Sequence, residues 1–495
     1  MQLIKKYITL LLPLTILFVS CDDWFDLQPQ NSLTQDEYWQ TKEEVKSLLM
    51  SSYQTLSLFT DELFQWGEVR GDMLSVTNNS QNWQIEIAAG LVKTDQIIWK
   101  WNQLYSAIGQ TNYVLKFAPD VLSRDNTFTQ RQLDAYLAEA HFLRALSYFY
   151  LVRVYGDVPI VLDPAENDEQ DFAVSKSDEE EVISQIISDL KYADKHIYTT
   201  YGDQFNNKGR GTRAAVHSLF ADVYLWNEQY DSCVYYTDKV LADERLGLVS
   251  GYLMFDIFYP GYSFESIFEL YFNYGDGQNN QMVNLLAGRN DNGSYRWQPS
   301  QVTLNRLNNV NEVVRGVCSY NDNSDEVRIW KHIGRSAVSF NEAENLVRSK
   351  QSDGNFVIYR LADIMLKKAE ALTEMGQLED ALLILNEIRF RARVKEYLSI
   401  ESKEIMRERI LEERAIELAF EGKRWFDLLR YGKRNNYEKK EEFINIVTGS
   451  LPLIDRIVVQ NRLKNTFSWY APIHIDEIGV NKNLEQNPYY VSEIE

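Results

Sequence analysis

A mainly α-helical fold is predicted by three features of the sequence. Apolar residues recur at three- and four-residue spacing through segments that make up about half of the 495 residues. Two of these segments align with one another at the tetratricopeptide spacing of paired helices. The stretch 251–347 breaks the pattern, being rich in Gly, Asn, Asp and Tyr with only short strand-like pieces such as "SIFELYF". Four parts are expected: a signal segment 1–20, a helical part 21–250, a separate loop-rich subregion 251–347, and a helical part 348–495.

The first element is not part of the fold. Lys5 and Lys6 precede an apolar run from Ile8 to Val19, and Ser20 supplies the small residue before a cut, which is the layout of a secretory signal. The run falls short of the roughly 20 apolar residues needed to cross a bilayer, and no later segment reaches that length. "FVSC" resembles a bacterial lipobox, so Cys21 is the expected first residue of the mature chain and its lipid attachment site. Stable anchoring takes more than one acyl chain, which lipoproteins of this kind carry.

A helix is then expected where Val45, Leu48, Leu49, Ser52, Tyr53 and Leu56 repeat behind a polar, acidic start. From Asp72 to Thr94 the period fails, which predicts a long loop of the kind that often carries function. Helical spacing resumes with Trp101, Tyr105, Ile108 and Asn112 on one face. A long helix follows through Leu137, Ala140, Leu143, Leu146 and Phe149, stopped by Gly156 and Pro159. Further helices are expected at Glu179–His196, Thr212–Leu225, Tyr230–Leu241, Tyr359–Glu374, Leu378–Ala392 and Glu401–Phe420. In the two aligned hairpins Ala221 matches Ala369, Tyr224 matches Leu372, Tyr230 matches Leu378 and Cys233 matches Ala381, with Gly376 at a turn. Small residues at such positions let antiparallel helices approach closely.

Charge and rare residues exclude several functions. A net charge of −21 repels nucleic acid and disfavours strongly acidic polysaccharides unless a local basic patch overrides it. Three cysteines and five histidines show no metal-ligand spacing, so no zinc site and no cofactor is implied. Cys233 and Cys318 either pair or remain single buried thiols, the latter being the simpler account. Glu413 and Glu417 share a helix face, but with Arg424 and Arg430 they read as ion-paired scaffold residues, not a catalytic carboxylate pair. "RGD" at Arg70–Asp72 is too short to argue for adhesion.

Four longer motifs carry a resemblance. "LAEAHFLRALSYFYLVRVYGDVPIV", "YRLADIMLKKAEALTEMGQLEDALLILNEIRFRA", "EERAIELAFEGKRWFDLLRYGK" and "YAPIHIDEIGVNKNLEQNPYY" occur in this order. Together they resemble the SusD/RagB family of nutrient-binding surface lipoproteins of Bacteroidetes. The resemblance covers most of the chain outside 251–347. It implies a SusD-like fold with tetratricopeptide-like helical hairpins, a looped ligand face and no enzymatic activity. It also implies a SusC-like TonB-dependent transporter as partner. "CDDWFD" resembles the export signal that places such lipoproteins on the outer face of the outer membrane, anchored there by lipid.

An oligosaccharide ligand calls for flat aromatics under its C–H faces and Asn, Asp, Gln or Arg at its hydroxyl rim. Two loops offer that mixture. "GDMLSVTNNSQNW" with "IIWKWN" supplies Asp72, Asn78, Asn79, Trp83 and Trp99. "ELYFNYGDGQNNQ" with "RNDNGSYRWQPS" supplies Tyr274, Gln278, Tyr295, Arg296 and Trp297. Trp99 and Trp297 are the leading platform candidates, and family sites draw on these two regions without a matched motif. Peptide capture is the alternative function, and a surface glycoside hydrolase a more distant one.

Overall fold

The computed structural model describes residues 38–166, 170, 172–273, 275, 278–288, 293–308, 312–322, 326–335, 354–399 and 402–491. The expected signal segment, Cys21 and Tyr274 lie outside the described residues. The architecture is mainly helical, with three two-stranded antiparallel ribbons inserted between helices.

Most expected helices form where the sequence places them. Lys42–Leu58 begins at a cap in which the Glu44 carboxylate accepts the Thr41 N–H at 2.6 Å. Asn102–Arg124 and Gln130–Tyr155 pack side by side, with Lys42–Leu58 against the first and Glu179–His196 against the second. Gln130–Tyr155 starts with a reciprocal Thr129–Gln132 cap and ends at Gly156. Glu179–His196 carries three glutamates in its first turn and Lys195 and His196 in its last, each complementing the helix dipole.

The two aligned hairpins, Arg213–Trp226 with Tyr230–Leu241 and Leu361–Glu374 with Leu378–Arg391, stack directly through their Tyr230–Leu241 and Leu361–Glu374 helices. Ala221, Ala369, Cys233 and Ala381 are all fully buried. Both Cys233 and Cys318 are buried free thiols. The hairpin turns put Glu228 and Gly376 at equivalent positions with φ of +56° and +79°. Opposite signs are therefore expected: Gly376→Ala should cost about 1 kcal/mol, while Glu228→Gly should be neutral or stabilising. Denaturant midpoints of the two variants check this.

The structure departs from expectation at three places. Phe356–Arg360 is a strand, so the expected Tyr359–Glu374 helix begins at Leu361. All five residues are buried and pair with Ser266–Leu270, a non-local constraint that overrides local helical spacing. The 72–94 segment contains a strand, Leu74–Val76, and a short helix, Asn82–Ala88. Most consequentially, two strands within 251–347 pair with strands outside it. Its strand Ser266–Leu270 pairs with Phe356–Arg360, and Trp297–Pro299 pairs with Leu74–Val76. Helices Thr60–Glu68, Arg424–Tyr437, Lys440–Thr448 and Leu453–Leu463 have no counterpart among the expected segments.

Inside the scaffold the charges of "EERAIELAFEGKRWFDLLRYGK" pair mostly with distant elements, not along their own helices. Arg360 lies 2.7 Å from Glu265 and from Glu417 and 2.8 Å from Glu421. Glu417 also meets Arg391 and Arg315, and Glu413 meets Arg315 at 2.6 Å and Arg389 at 2.7 Å. Arg414 bridges Asp363 and Asp427, and Arg430 joins Glu370 to Asp427. Burial raises the pKa of Glu417, but Arg391, Arg360 and Arg315 outweigh that effect and hold it well below the carboxylate range. Glu413 and Glu417 are thus buried, ion-paired scaffold residues and are not open to solvent as a hydrolytic pair must be.

Candidate functional site: two joined loops

The ribbon Leu74–Val76 with Trp297–Pro299 brings the two predicted ligand loops together. Its register pairs Leu74 with Pro299, Ser75 with Gln298 and Val76 with Trp297. Beyond the ribbon the Thr77 hydroxyl donates to the Tyr295 carbonyl, the Ser80 hydroxyl to the Arg296 carbonyl, and the Arg296 guanidinium to the Asn79 carbonyl. Residues more than 200 positions apart in sequence therefore form one surface.

The same ribbon decides which side chains that surface can offer. Successive residues of a strand face opposite sides. Trp297 points inward, 0% exposed, and its indole N–H donates to the Gln65 side chain at 3.0 Å. Its neighbours Arg296 and Gln298 remain partly exposed. Trp99 is 1% exposed because Ile97–Trp99 is a 3₁₀ turn, so α-helical spacing does not describe where it points. Its indole bonds Gln96 at 3.0 Å, and Ile97 faces solvent instead. Neither indole can lie under a sugar ring, and the expectation for both is corrected.

Asp72 and Tyr295 are corrected too. Asp72 is 2% exposed, gripped by Arg424 Nε at 2.7 Å and Nη2 at 3.0 Å and by Arg306 Nη1 at 2.8 Å. Burial raises its pKa, but the two guanidinium groups outweigh that effect and hold it below the carboxylate range. It ties the loop to the scaffold, and its burial closes it to a sugar hydroxyl. Tyr295 is 7% exposed with its hydroxyl against Gln298 and the Val327 carbonyl, an anchor for its own loop.

Four of the predicted residues stay accessible on the joined surface. Asn78 is exposed, Asn79 and Arg296 are partly exposed, and Trp83 is half-buried. Trp83 rests against the core, and its indole N–H donates to Gln81 at 2.7 Å, which fixes the ring. Gln278, from the second loop, is likewise partly exposed. Among the described residues no cluster of His, Cys, Asp and Glu able to hold a metal ion occurs, and no helix is long and apolar enough to cross a membrane.

Family models match nearly the whole chain. Residues 252–490 match the model of the SusD family, and residues 23–225 match the model described as starch-binding, associating with outer membrane. The chain belongs to the SusD/RagB family. Among SusD-family relatives, SusD-like protein P38 of Formosa agariphila is 25% identical over 459 residues, covering 84% of this chain and 88% of that protein. A SusD superfamily protein from Bacteroides vulgatus superposes with a TM-score of 0.76 at 18% identity, covering 91% of this chain and all of that one. A laminarin-binding SusD-like protein superposes with a TM-score of 0.74 at 20% identity, covering 91% and 99%. At these identities the structural likeness speaks for the SusD fold.

One part of the site was not legible in the sequence. Beside the joined loops, residues 69–92 and the carboxy-terminal segment 447–490 enclose a cavity of about 550 Å³. Leu74, Ser75, Val76 and Ile85 of the loop segment form one wall, and Val459, Arg462 and Tyr489 contribute to the other. No periodicity or motif links these positions. Gly71 and Leu74–Val76 belong to the first candidate loop and Tyr489 to the carboxy-terminal motif, but nothing in the sequence connects them with Arg70 or Arg462.

Proposed function

We propose that this protein captures oligosaccharide at the cell surface and passes it to a SusC-like TonB-dependent outer-membrane transporter. The observation that carries the reading is the ribbon that joins two Asn-, Gln- and aromatic-rich loops into one face, with Asn78, Trp83 and Arg296 presented on a rigid helical scaffold. Trp83 supplies the stacking surface, and Asn78, Gln278 and Arg296 supply hydrogen bonds to hydroxyls. The family description as starch-binding and associating with the outer membrane, and the laminarin-binding structural neighbour, support a glycan ligand.

Isothermal titration against a panel of neutral plant and microbial oligosaccharides and a peptide pool tests the reading. Saturable binding to one glycan class, with no release of reducing sugar, is expected. Binding of peptides alone would favour peptide capture instead, and sugar release would reinstate a hydrolase.

Lipid attachment at Cys21 completes the proposal by holding the protein on the exterior of the outer membrane. Cys21→Ala should move the protein from the membrane fraction to the soluble fraction. Retention in the membrane would contradict anchoring through that thiol.

A further inference from the structure

The cavity beside the joined loops falls within the roughly 300–1,000 Å³ range of small-molecule sites. Its wall mixes polar groups with apolar side chains, including the rings of Trp425 and Tyr489, and its charged members are Arg70, Arg462 and Asp455. The two arginines depart from a rule followed in the scaffold. Buried Arg360, Arg414, Arg424 and Arg430 each meet a carboxylate at 2.7–2.9 Å. Arg70 instead donates to the carbonyls of Trp469 at 2.7 Å and Ser468 at 2.6 Å, and lies 4.3 Å from the centre of the Trp425 ring. Arg462 donates to the Gly90 carbonyl at 2.8 Å. The Ser468 hydroxyl donates to the Arg462 carbonyl at 2.9 Å, so one short segment connects both arginines. Neither has an ion-pair partner among the described residues.

Carbonyls satisfy N–H groups without neutralising charge, so a desolvated guanidinium held only by carbonyls still favours an anion. Burial pushes the pKa of Arg70 down, as expected where no carboxylate compensates the lost water. In a chain of net charge −21, two arginines without a carboxylate partner against the single Asp455 make the cavity locally positive. The guanidinium fork also suits a planar carboxylate, which it can bind through two parallel hydrogen bonds. Asp455 narrows the ligand further. It repels a bare inorganic anion, yet it accepts a hydroxyl proton, and a sugar acid carries a carboxylate and hydroxyls together.

We propose that this cavity binds a uronic acid residue of an oligosaccharide, with the sugar carboxylate at Arg70 and Arg462, a hydroxyl donated to Asp455 and the ring against the apolar side chains of the wall. The proposal rests on the glycan reading above and specifies its ligand class. It also reverses the expectation from net charge, because the override that acidic sugars require is present locally.

Calorimetric titration of the purified protein with trimers of galacturonate, glucuronate, mannuronate and guluronate tests it, alongside their methyl esters, maltotriose, inorganic phosphate and trialanine. At least one uronate trimer should bind saturably, and esterification should weaken that binding tenfold or more. Arg462→Met and Arg70→Lys should each weaken it by a similar factor. Arg462→Met keeps the test decisive if Arg70→Lys lowers the yield of folded protein, which thermal melts monitor. The proposal is overturned if no uronate trimer binds, if esterification and Arg462→Met leave the affinity unchanged, or if phosphate binds as tightly as the uronate. Binding of maltotriose without any uronate would remove the cavity assignment and leave the glycan reading standing. Binding of trialanine alone would remove both.

Discussion

Replacing Arg360 with methionine is expected to destabilise the protein by about 3–5 kcal/mol, the usual consequence of removing one partner from a buried ion network. Arg360 is 1% exposed and touches Glu265, Glu417 and Glu421, which come from a strand edge and from the "EERAIELAFEGKR" segment. Methionine approximates its volume and none of its donors. Glu265 and Glu417 retain Arg391, and Glu421 retains Lys331, so the loss is shared and not a complete orphaning. A second change, Glu421→Gln, should recover part of the loss by lowering the uncompensated charge. Denaturant unfolding measures both, and a cost below about 1 kcal/mol for Arg360→Met would show that the network contributes little to stability.

The second large effect is a pH dependence centred on Glu68. This residue ends the helix Thr60–Glu68 and is fully buried. One carboxyl oxygen accepts the N–H of Gly422 at 2.9 Å and of Lys423 at 3.3 Å, while the other has no hydrogen-bond partner. The approach is close: a Cβ on Gly67 would lie 1.9 Å from the Gly422 carbonyl oxygen. Burial raises the Glu68 pKa from 4.5 to about 8, against the smaller opposing effect of those amides. The native state therefore holds a proton that the unfolded chain releases near pH 4.5. Its contribution is complete below that pH and is lost as pH rises through about 8, a change of roughly 3–5 kcal/mol. Glu68→Gln removes this titration, so the variant should gain stability relative to the parent steadily between pH 5 and pH 8. A constant difference across that range would contradict a neutral Glu68. Carboxylates such as Glu417 and Asp363, whose pKa values are depressed, act in the opposite direction, and their contribution is lost as pH falls below about 4.5.

What the sequence revealed, and what it hid, divides along local and non-local lines. The long helices Lys42–Leu58, Asn102–Arg124, Gln130–Tyr155 and Glu179–His196 and the two aligned hairpins announce themselves because an apolar stripe is a property of a dozen neighbouring residues. The Ala221/Ala369 and Cys233/Ala381 equivalence could be seen for the same reason. Loop composition singled out both ligand loops, and the structure joins them. The choice between platform and anchor was invisible, because it depends on strand register across more than 200 residues and on a 3₁₀ turn at Ile97–Trp99. Both tryptophans singled out as platforms turned inward, while Trp83 kept part of its surface exposed. Charge partners were equally hidden: Asp72, expected at a hydroxyl rim, is held by Arg306 and Arg424, and Glu413 and Glu417, expected to pair along their helix, pair with Arg315, Arg360, Arg389 and Arg391 of other elements. Arg70 and Arg462 come together only through the return of the carboxy-terminal segment.

The central claim is that ligand binds to the joined loops through the residues left exposed there, and one comparison tests it most directly. With a glycan found to bind, affinities of Trp83→Ala and Trp297→Phe should be measured side by side by calorimetry. Trp83→Ala should weaken binding tenfold or more, about 1.4 kcal/mol or above, while Trp297→Phe, altering only a buried anchor, should bind within a factor of two of the parent. Unchanged affinity in Trp83→Ala, with thermal melts confirming that the variant is folded, would contradict the account.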